Sequence, residues 1–413
     1  MKDFDQLLDK YARLLIEKGV NVEDGDNLMV YIETQNAPLG RLLAKHAYAN
    51  GARRVYFTWR DDYIERLEYD HMSTEDLAHV EDYEKARQED LIKNKKMSRL
   101  SVVSGDPDLL NGISNEKIDT VQSARSKALK VVRQATMNDD VKWTVAAAAD
   151  YGWAKHVFPD LADDKQAAVD ALWDQIFKTC RVYDDDPVAS WNKHRDTLES
   201  KADYMNNKQF AKLHYTAPGT DLTIGLPEEH IWVSAESFNP EGRPFIANMP
   251  TEEIFTAPDS RVIEGHVTST KPLAYAGSTI ENIRVSFADG QITDISADKN
   301  DQIIKDLVAN NDGATSLGEV ALVPHSSPIS QSNLIFFNTL FDENASNHLA
   351  IGAAYPTTLK GGNKLSEEEL KARGLNRSDV HEDFMVGSGE MDIDGITADG
   401  ETFPIFRNGE WAF

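Results

Sequence analysis

Phe4, Leu7, Leu8, Tyr11, Leu14 and Leu15 recur at the spacing of one helical face, and Lys18-Gly19 supplies a stop. A short apolar run, Asn27-Leu28-Met29-Val30-Tyr31-Ile32, reads as a buried strand. Residues 37–50 then read as a helix closed by Gly51, and Arg54-Val55-Tyr56-Phe57-Thr58-Trp59 as a second strand. This β-α-β order predicts a parallel sheet with helices on its faces. The alternation continues less cleanly through a helix over 121–133 and a strand over 141–147. Residues 165–182, 188–204 and 207–211 read as helical.

Near residue 216 the texture turns from helix-rich to strand-rich, with Thr216-Ala217-Pro218-Gly219-Thr220 as punctuation. Strand patterns follow at 222–226, 231–234, 262–267 and 283–287, and Ala288-Asp289-Gly290 is a hairpin signal into 291–295. Ser366-Glu367-Glu368-Glu369 is a capping box opening a short helix that Gly374 closes. Residues 392–400 faintly resemble a calcium loop, but the glycine and the terminal glutamate are misplaced, and two Asp-Gly hairpin turns explain them better. The expected architecture is an α/β N-terminal domain over 1–215 and a β-rich α+β domain over 216–413.

At 413 residues, two cores are the natural division. Lys and Arg number 43 against 69 Asp and Glu, a net charge of −26, which repels nucleic acid and anionic membrane alike. The longest basic run is Lys93-Asn94-Lys95-Lys96, and no apolar run approaches the ~18 residues of a membrane span. The single cysteine, Cys180, excludes an internal disulfide and reads as a buried structural thiol. Without an apolar signal core after Met1, the expectation is a cytoplasmic protein. No glycine-rich phosphate loop follows any strand, and Gly361-Gly362-Asn363-Lys364 lacks the required spacing.

Candidate chemistry gathers in the strand-rich half. Residues 248–258 hold the pair Glu252-Glu253 between two prolines, Pro250 and Pro258, and Glu319 enters the apolar run Val320-Ala321-Leu322-Val323. Glu343, His348 and Tyr355 follow, and then His381-Glu382-Asp383. On a strand, His381 and Asp383 share one face and Glu382 takes the other. Charged groups in apolar surroundings need a partner against their desolvation, and a metal ion is the simplest one. Imidazole with carboxylates and no thiolate suits zinc, cobalt or manganese in a catalytic site. No His-Glu-x-x-His and no Gly-x-Ser-x-Gly is present, so the spacing leads to a carboxylate-rich metal site and no further.

Taken together, 248–258, Gly318-Glu319-Val320-Ala321, Phe341-Asp342-Glu343-Asn344-Ala345-Ser346-Asn347-His348 and His381-Glu382-Asp383-Phe384-Met385-Val386-Gly387 resemble the thermophilic aminopeptidase family. Trp153-Ala154-Lys155-His156-Val157-Phe158-Pro159-Asp160 extends the likeness into the first half. The resemblance implies a two-metal aminopeptidase that removes N-terminal residues from peptides with a free N-terminus. It implies Glu253, Glu319, His348, His381 and Asp383 as ligands of two divalent ions (zinc, cobalt, manganese or magnesium), with Glu319 as the bridge. Glu343 is implied as a further ligand or the general base, with Glu252 as the other candidate base. Tyr355 is implied as a ligand or a donor to the transition state. Asn347 stands where several relatives carry cysteine. A cytosolic homodimer is the expected assembly, without nucleic-acid or membrane partners. Two other readings fit the same residues: a two-metal hydrolase of another amide or ester, and a metal-stabilised binding protein without turnover.

Overall fold

In the computed structural model, which describes residues 1–93, 97–275 and 278–413, Asn27–Glu33 (β1), Arg54–Arg60 (β2), Met97–Val103 (β3) and Lys142–Ala147 (β4) form a parallel sheet. Its order is β2-β1-β3-β4, and the short strand Asn248–Met249 joins in parallel beyond β4. Strand β1 is buried almost throughout, as expected of a strand covered on both faces by crossover helices. Of the basic run at 93–96, residues 94–96 lie outside the described residues.

Strand β3 and the helices Asp62–His71, Thr74–Ala78 and Asp82–Lys93 are absent from the sequence pattern read above. In β3, Ser98, Arg99 and Ser101 interrupt Met97, Leu100 and Val102, so a central strand lacks the apolar run that usually marks one. The helix expected over 121–133 is two, Asn115–Ala128 and Lys130–Met137, because Leu129 leaves helical geometry.

The chain divides into two compact units: residues 1–193 with 236–250, and 194–235 with 251–413. In the first, segment 236–250 is anchored electrostatically. Arg243 Nη1 lies 2.8 Å from Asp26 Oδ1, and Lys142 Nζ lies 2.8 Å from Asp26 Oδ2. Asp26 and Lys142 are fully buried, so removing Asp26 would leave the Lys142 ammonium without its counter-charge, at a cost of about 3–5 kcal/mol.

The second unit holds an eight-stranded antiparallel sheet in the order 291–296, 284–288, 263–268, 220–225, 212–217, 392–396, 402–407, 410–411. A four-stranded antiparallel sheet accompanies it, in the order Ile254–Thr256, Leu317–Leu322, His348–Gly352, His381–Met385. Ile254, Val320, Leu322, Leu349, Ile351 and Phe384 of this smaller sheet join the apolar core of the larger one. Period-two alternation therefore turns Glu319, His348, Ala350, His381 and Asp383 to the opposite face.

The Asp289-Gly290 hairpin and the Ser366/Glu369 capping box form as their residues predict. Three details differ. Residues 231–234 make only an isolated bridge, Val233 to Phe255. The helical reading of 207–211 fails because the helix Pro187–Lys208 stops and a strand begins at Lys212. Of the two Asp-Gly pairs near the C-terminus, Asp399-Gly400 makes a turn, but Gly395 lies inside a strand facing Phe210, where an added Cβ would meet the ring at 2.8 Å.

Candidate metal centre

Register assembles the site. Ala350 pairs with Glu319 on one neighbouring strand and with Asp383 on the other, so the two carboxylates flank a methyl group. His348 stands two residues before Ala350, and His381 two before Asp383, which adds both imidazoles to the same face. The pairing slips by one residue between Leu317 and Glu319, at Gly318. A side chain there would lie 2.2 Å from the Ala353 carbonyl oxygen, so only glycine permits the bulge that sets the direction of Glu319.

Glu319 addresses both histidines. Its Oε1 lies 3.4 Å from His348 Nε2, and its Oε2 lies 3.7 Å from His381 Nε2. Glu253, from the segment entering the first strand of the sheet, places Oε2 3.2 Å from His348 Nε2. Asp383 Oδ1 is 3.5 Å from His381 Nε2 and 4.0 Å from His348 Nε2. The other ring nitrogens face main-chain carbonyls, His348 Nδ1 to Ser346 at 3.1 Å and His381 Nδ1 to Ala353 at 2.7 Å. Such a contact holds the Nδ1–H tautomer and leaves Nε2 as the inward donor atom.

The electrostatics show a cluster short of positive charge. Burial and then Glu253 and Asp383 push Glu343 well above the ordinary carboxylate range. Burial, offset in part by His348 and reinforced by Glu319, pushes Glu253 to about 7. Burial works against the charged imidazoles, yet the carboxylates hold them up: the Glu319 contact with Glu253 and Asp383 brings His348 to about 10, and Asp383 and Glu319 bring His381 to about 10. Burial also opposes ionisation of Asp383, and His381 outweighs it, so this group stays low. Burial followed by Glu319 and Asp383 raises the Tyr355 phenol. Its ring packs 5.0 Å from that of His381.

Two buried oxygens, Glu253 Oε2 and Asp383 Oδ1, have no hydrogen-bond partner among the described residues. Orphaned carboxylate oxygens facing imidazole nitrogens are what a cation would satisfy. Two sets of three donors lie close enough to share an ion each: Glu253, Glu319 and His348, and Glu319, His381 and Asp383. Oxygen and imidazole donors without sulfur fit zinc, cobalt, manganese or magnesium. A third close set, Asp106, Asp108 and His156, lies in the first unit, where Lys155 already pairs with Asp106.

Glu252 faces a different partner. Its Oε2 lies 3.5 Å from His194 Nε2, which in turn contacts the Thr251 carbonyl at 2.8 Å. The Glu252 backbone amide donates to Asn344 Oδ1 at 2.8 Å, and Asn344 Nδ2 contacts Glu343 Oε1 at 3.4 Å. His194 and Asn344 escaped the reading by pattern: the first stands alone on a long helix, and the second is an uncharged residue between two motif residues. Asn347 Oδ1 accepts the Val323 amide at 2.7 Å, so this residue braces the chain between the Glu319 and His348 strands.

Comparison with known proteins gives the family of the chain. The profile of the thermophilic metalloprotease (M29) family matches residues 4–411. Aminopeptidase PepS of Streptococcus thermophilus is 54% identical over 411 residues, covering 100% of this chain and 99% of the relative. Aminopeptidase AmpS of Bacillus subtilis is 49% identical, with both chains covered completely. The solved structure of wild-type AmpT from Thermus thermophilus superposes with a TM-score of 0.93 at 36% identity, covering 99% of this chain and 100% of that one.

Proposed function

Because the chain belongs to the thermophilic metalloprotease (M29) family and is a metal-dependent aminopeptidase, we propose that its β-rich half, residues 216–413, carries a two-ion active site. Glu253, Glu319 and His348 would hold one ion, and Glu319, His381 and Asp383 the other, with Glu319 as the bridge. Divalent cations bound there would supply Lewis acidity toward the scissile carbonyl and lower the pKa of water. The observation that carries this reading is the division of the Glu319 carboxylate, one oxygen toward each histidine.

The chain's own groups take the remaining roles. Glu343, whose proton affinity is raised by burial and by neighbouring acids, would accept a proton from the attacking water and pass it to the leaving amine, or serve as a further ligand. A second candidate for that relay is Glu252, backed by His194. The Tyr355 phenol, held in its neutral form, is a donor for the oxyanion of the tetrahedral stage. A cluster with more carboxylates than cations also attracts the substrate's free ammonium terminus, which favours removal of single N-terminal residues over internal cleavage. Zinc, cobalt, manganese and magnesium are the candidate ions, peptides with a free N-terminus the substrates, and a homodimer in the cytoplasm the working form.

Stripping the purified protein with chelator, re-supplying each ion and assaying leucyl and arginyl reporter amides tests the proposal, with Glu319→Ala as control. Activity should vanish on stripping, return with metal and be absent in the variant. Undiminished cleavage by stripped protein would refute it.

A further inference from the structure

The parallel sheet of the first unit carries a cavity of about 1010 Å³, large enough for a small organic ligand. It opens at the carboxyl ends of the strands: Gln35 and Asn36 follow β1, Asp62 follows β2, Asp106 follows β3 and Asp150 follows β4. Strand β1 lies between β2 and β3, so right-handed connections leave it on one face of the sheet and return past it on the other. A crevice outside such a switch of direction is where open α/β sheets bind ligands.

The lining indicates what kind of ligand. Glu33-Thr34-Gln35-Asn36-Ala37-Pro38 after β1 has no glycine and so makes no phosphate loop, and the Met1 ammonium at the cavity wall is paired with Asp170. The Arg66 guanidinium is already committed, to the carbonyls of Leu109 at 2.9 Å and Asn111 at 2.8 Å and to Asp70 at 3.0 Å. Lys165 rests 5.2 Å over the Tyr151 ring. Against these, Asp150 is buried and is bonded by neutral donors, Ser104, the Gly105 amide and the Trp153 amide. Asp62 accepts the Asp106 amide at 3.2 Å, with the Arg60 guanidinium acting on it from nearby.

Beside them lies Glu33, 2% exposed, whose Oε2 has no hydrogen-bond partner among the described residues and whose Oε1 is 3.5 Å from Arg60 Nε. Burial, opposed by Arg60 and reinforced by Asp62, Glu65 and Asp150, pushes Glu33 to about 7; the carboxylates gathered behind this end of the cavity outnumber the Arg60 guanidinium that faces them. Phe4, Leu8, Leu39, Leu109, Val169 and Trp173 supply an apolar remainder.

We propose that this cavity binds a small molecule with an apolar, ring-sized body and one protonated amine, the amine drawn to the side of Asp62 and Asp150. The site belongs to the first unit and is independent of the metal-centre reading.

Titration of metal-stripped, full-length Glu319→Ala protein by calorimetry tests it, because that background removes the proposed metal centre as a competing amine site. The probes are tryptamine, its alcohol analogue tryptophol and the anion indole-3-acetate. Tryptamine should bind one-to-one and at least about tenfold more tightly than tryptophol, with indole-3-acetate weaker still. Asp62→Asn should remove most of the advantage of the amine and leave tryptophol unchanged, and Leu109→Trp, which fills the cavity, should abolish both. No saturable tryptamine binding up to about 10 mM, equal binding of the anion, or an unchanged titration with Asp62→Asn would overturn the proposal. The last reading does not depend on whether Leu109→Trp folds.

Discussion

Asn344 Oδ1 accepts the backbone amide of Glu252 across 2.8 Å, in a position with no solvent exposure. That bond joins the segment carrying Glu252 and Glu253 to the turn carrying Glu343, the two stretches that supply carboxylates from outside the paired strands. Its loss leaves a buried N–H unsatisfied, at a cost of about 1–3 kcal/mol.

Asn344→Ala should therefore lower thermal stability by about that amount and, on the proposed mechanism, in which the carboxylates it steadies act on the reacting atoms, reduce kcat more than KM. Differential scanning fluorimetry with steady-state kinetics checks both. A variant with wild-type kcat would show that the bond positions nothing catalytic.

Ala350 is the floor between Glu319 and Asp383. Ala350→Leu keeps the strand pattern but places a side chain where the two carboxylates converge. The purified variant should retain its far-ultraviolet circular dichroism and lose most of its bound metal, read by plasma mass spectrometry. Full metal content would mean that the ions sit elsewhere.

Metal removal should also be visible without any substrate. Like-charged buried carboxylates repel one another when no cation stands between them. Binding to the folded state alone adds about 4 kcal/mol at a free ion concentration roughly a thousand times Kd. Chelation should thus lower Tm, and the ion that restores activity should restore it. An unchanged Tm would count against the cluster as the binding site.

A pH dependence is expected from Asp139, away from the metal centre. Burial pushes its carboxyl up to about 6, even though Trp143 Nε1 donates to it at 2.9 Å. A raised folded pKa means that the contribution is fully present below the unfolded value near 4 and is lost as pH rises through about 6. Asp139→Asn keeps the acceptor and suits the positive φ of 57° at this position. It should stabilise the protein at pH 7 by about 1–2 kcal/mol, discounted for partial exposure, and by almost nothing at pH 4. Denaturant melts at the two pH values decide it, and an equal effect at both would remove titration as the cause.

Much of this architecture was legible before any coordinates. Strands β1 and β2 and the helix between them were readable because their apolar residues are neighbours in the chain, although β1 is buried almost throughout and β2, at the sheet edge, is half-exposed. His381 and Asp383 could be placed on one face from strand period alone. Strand β3 could not be read, since Ser98, Arg99 and Ser101 owe their places to neighbours distant in the chain rather than to adjacent residues.

The amino-acid sequence by itself determined the residue types of the metal centre, the family they resemble and the change from helix-rich to strand-rich texture, because periodicity and motif spacing are properties of neighbouring residues. Tertiary structure alone decided that Ala350 separates Glu319 from Asp383, that Gly318 aims Glu319 between two histidines, that Glu252 turns to His194, and that 236–250 is held by Asp26. Each of these rests on strand register or on a buried charge finding its counter-charge. Both are settled by packing among residues far apart in the chain, where no local pattern reaches.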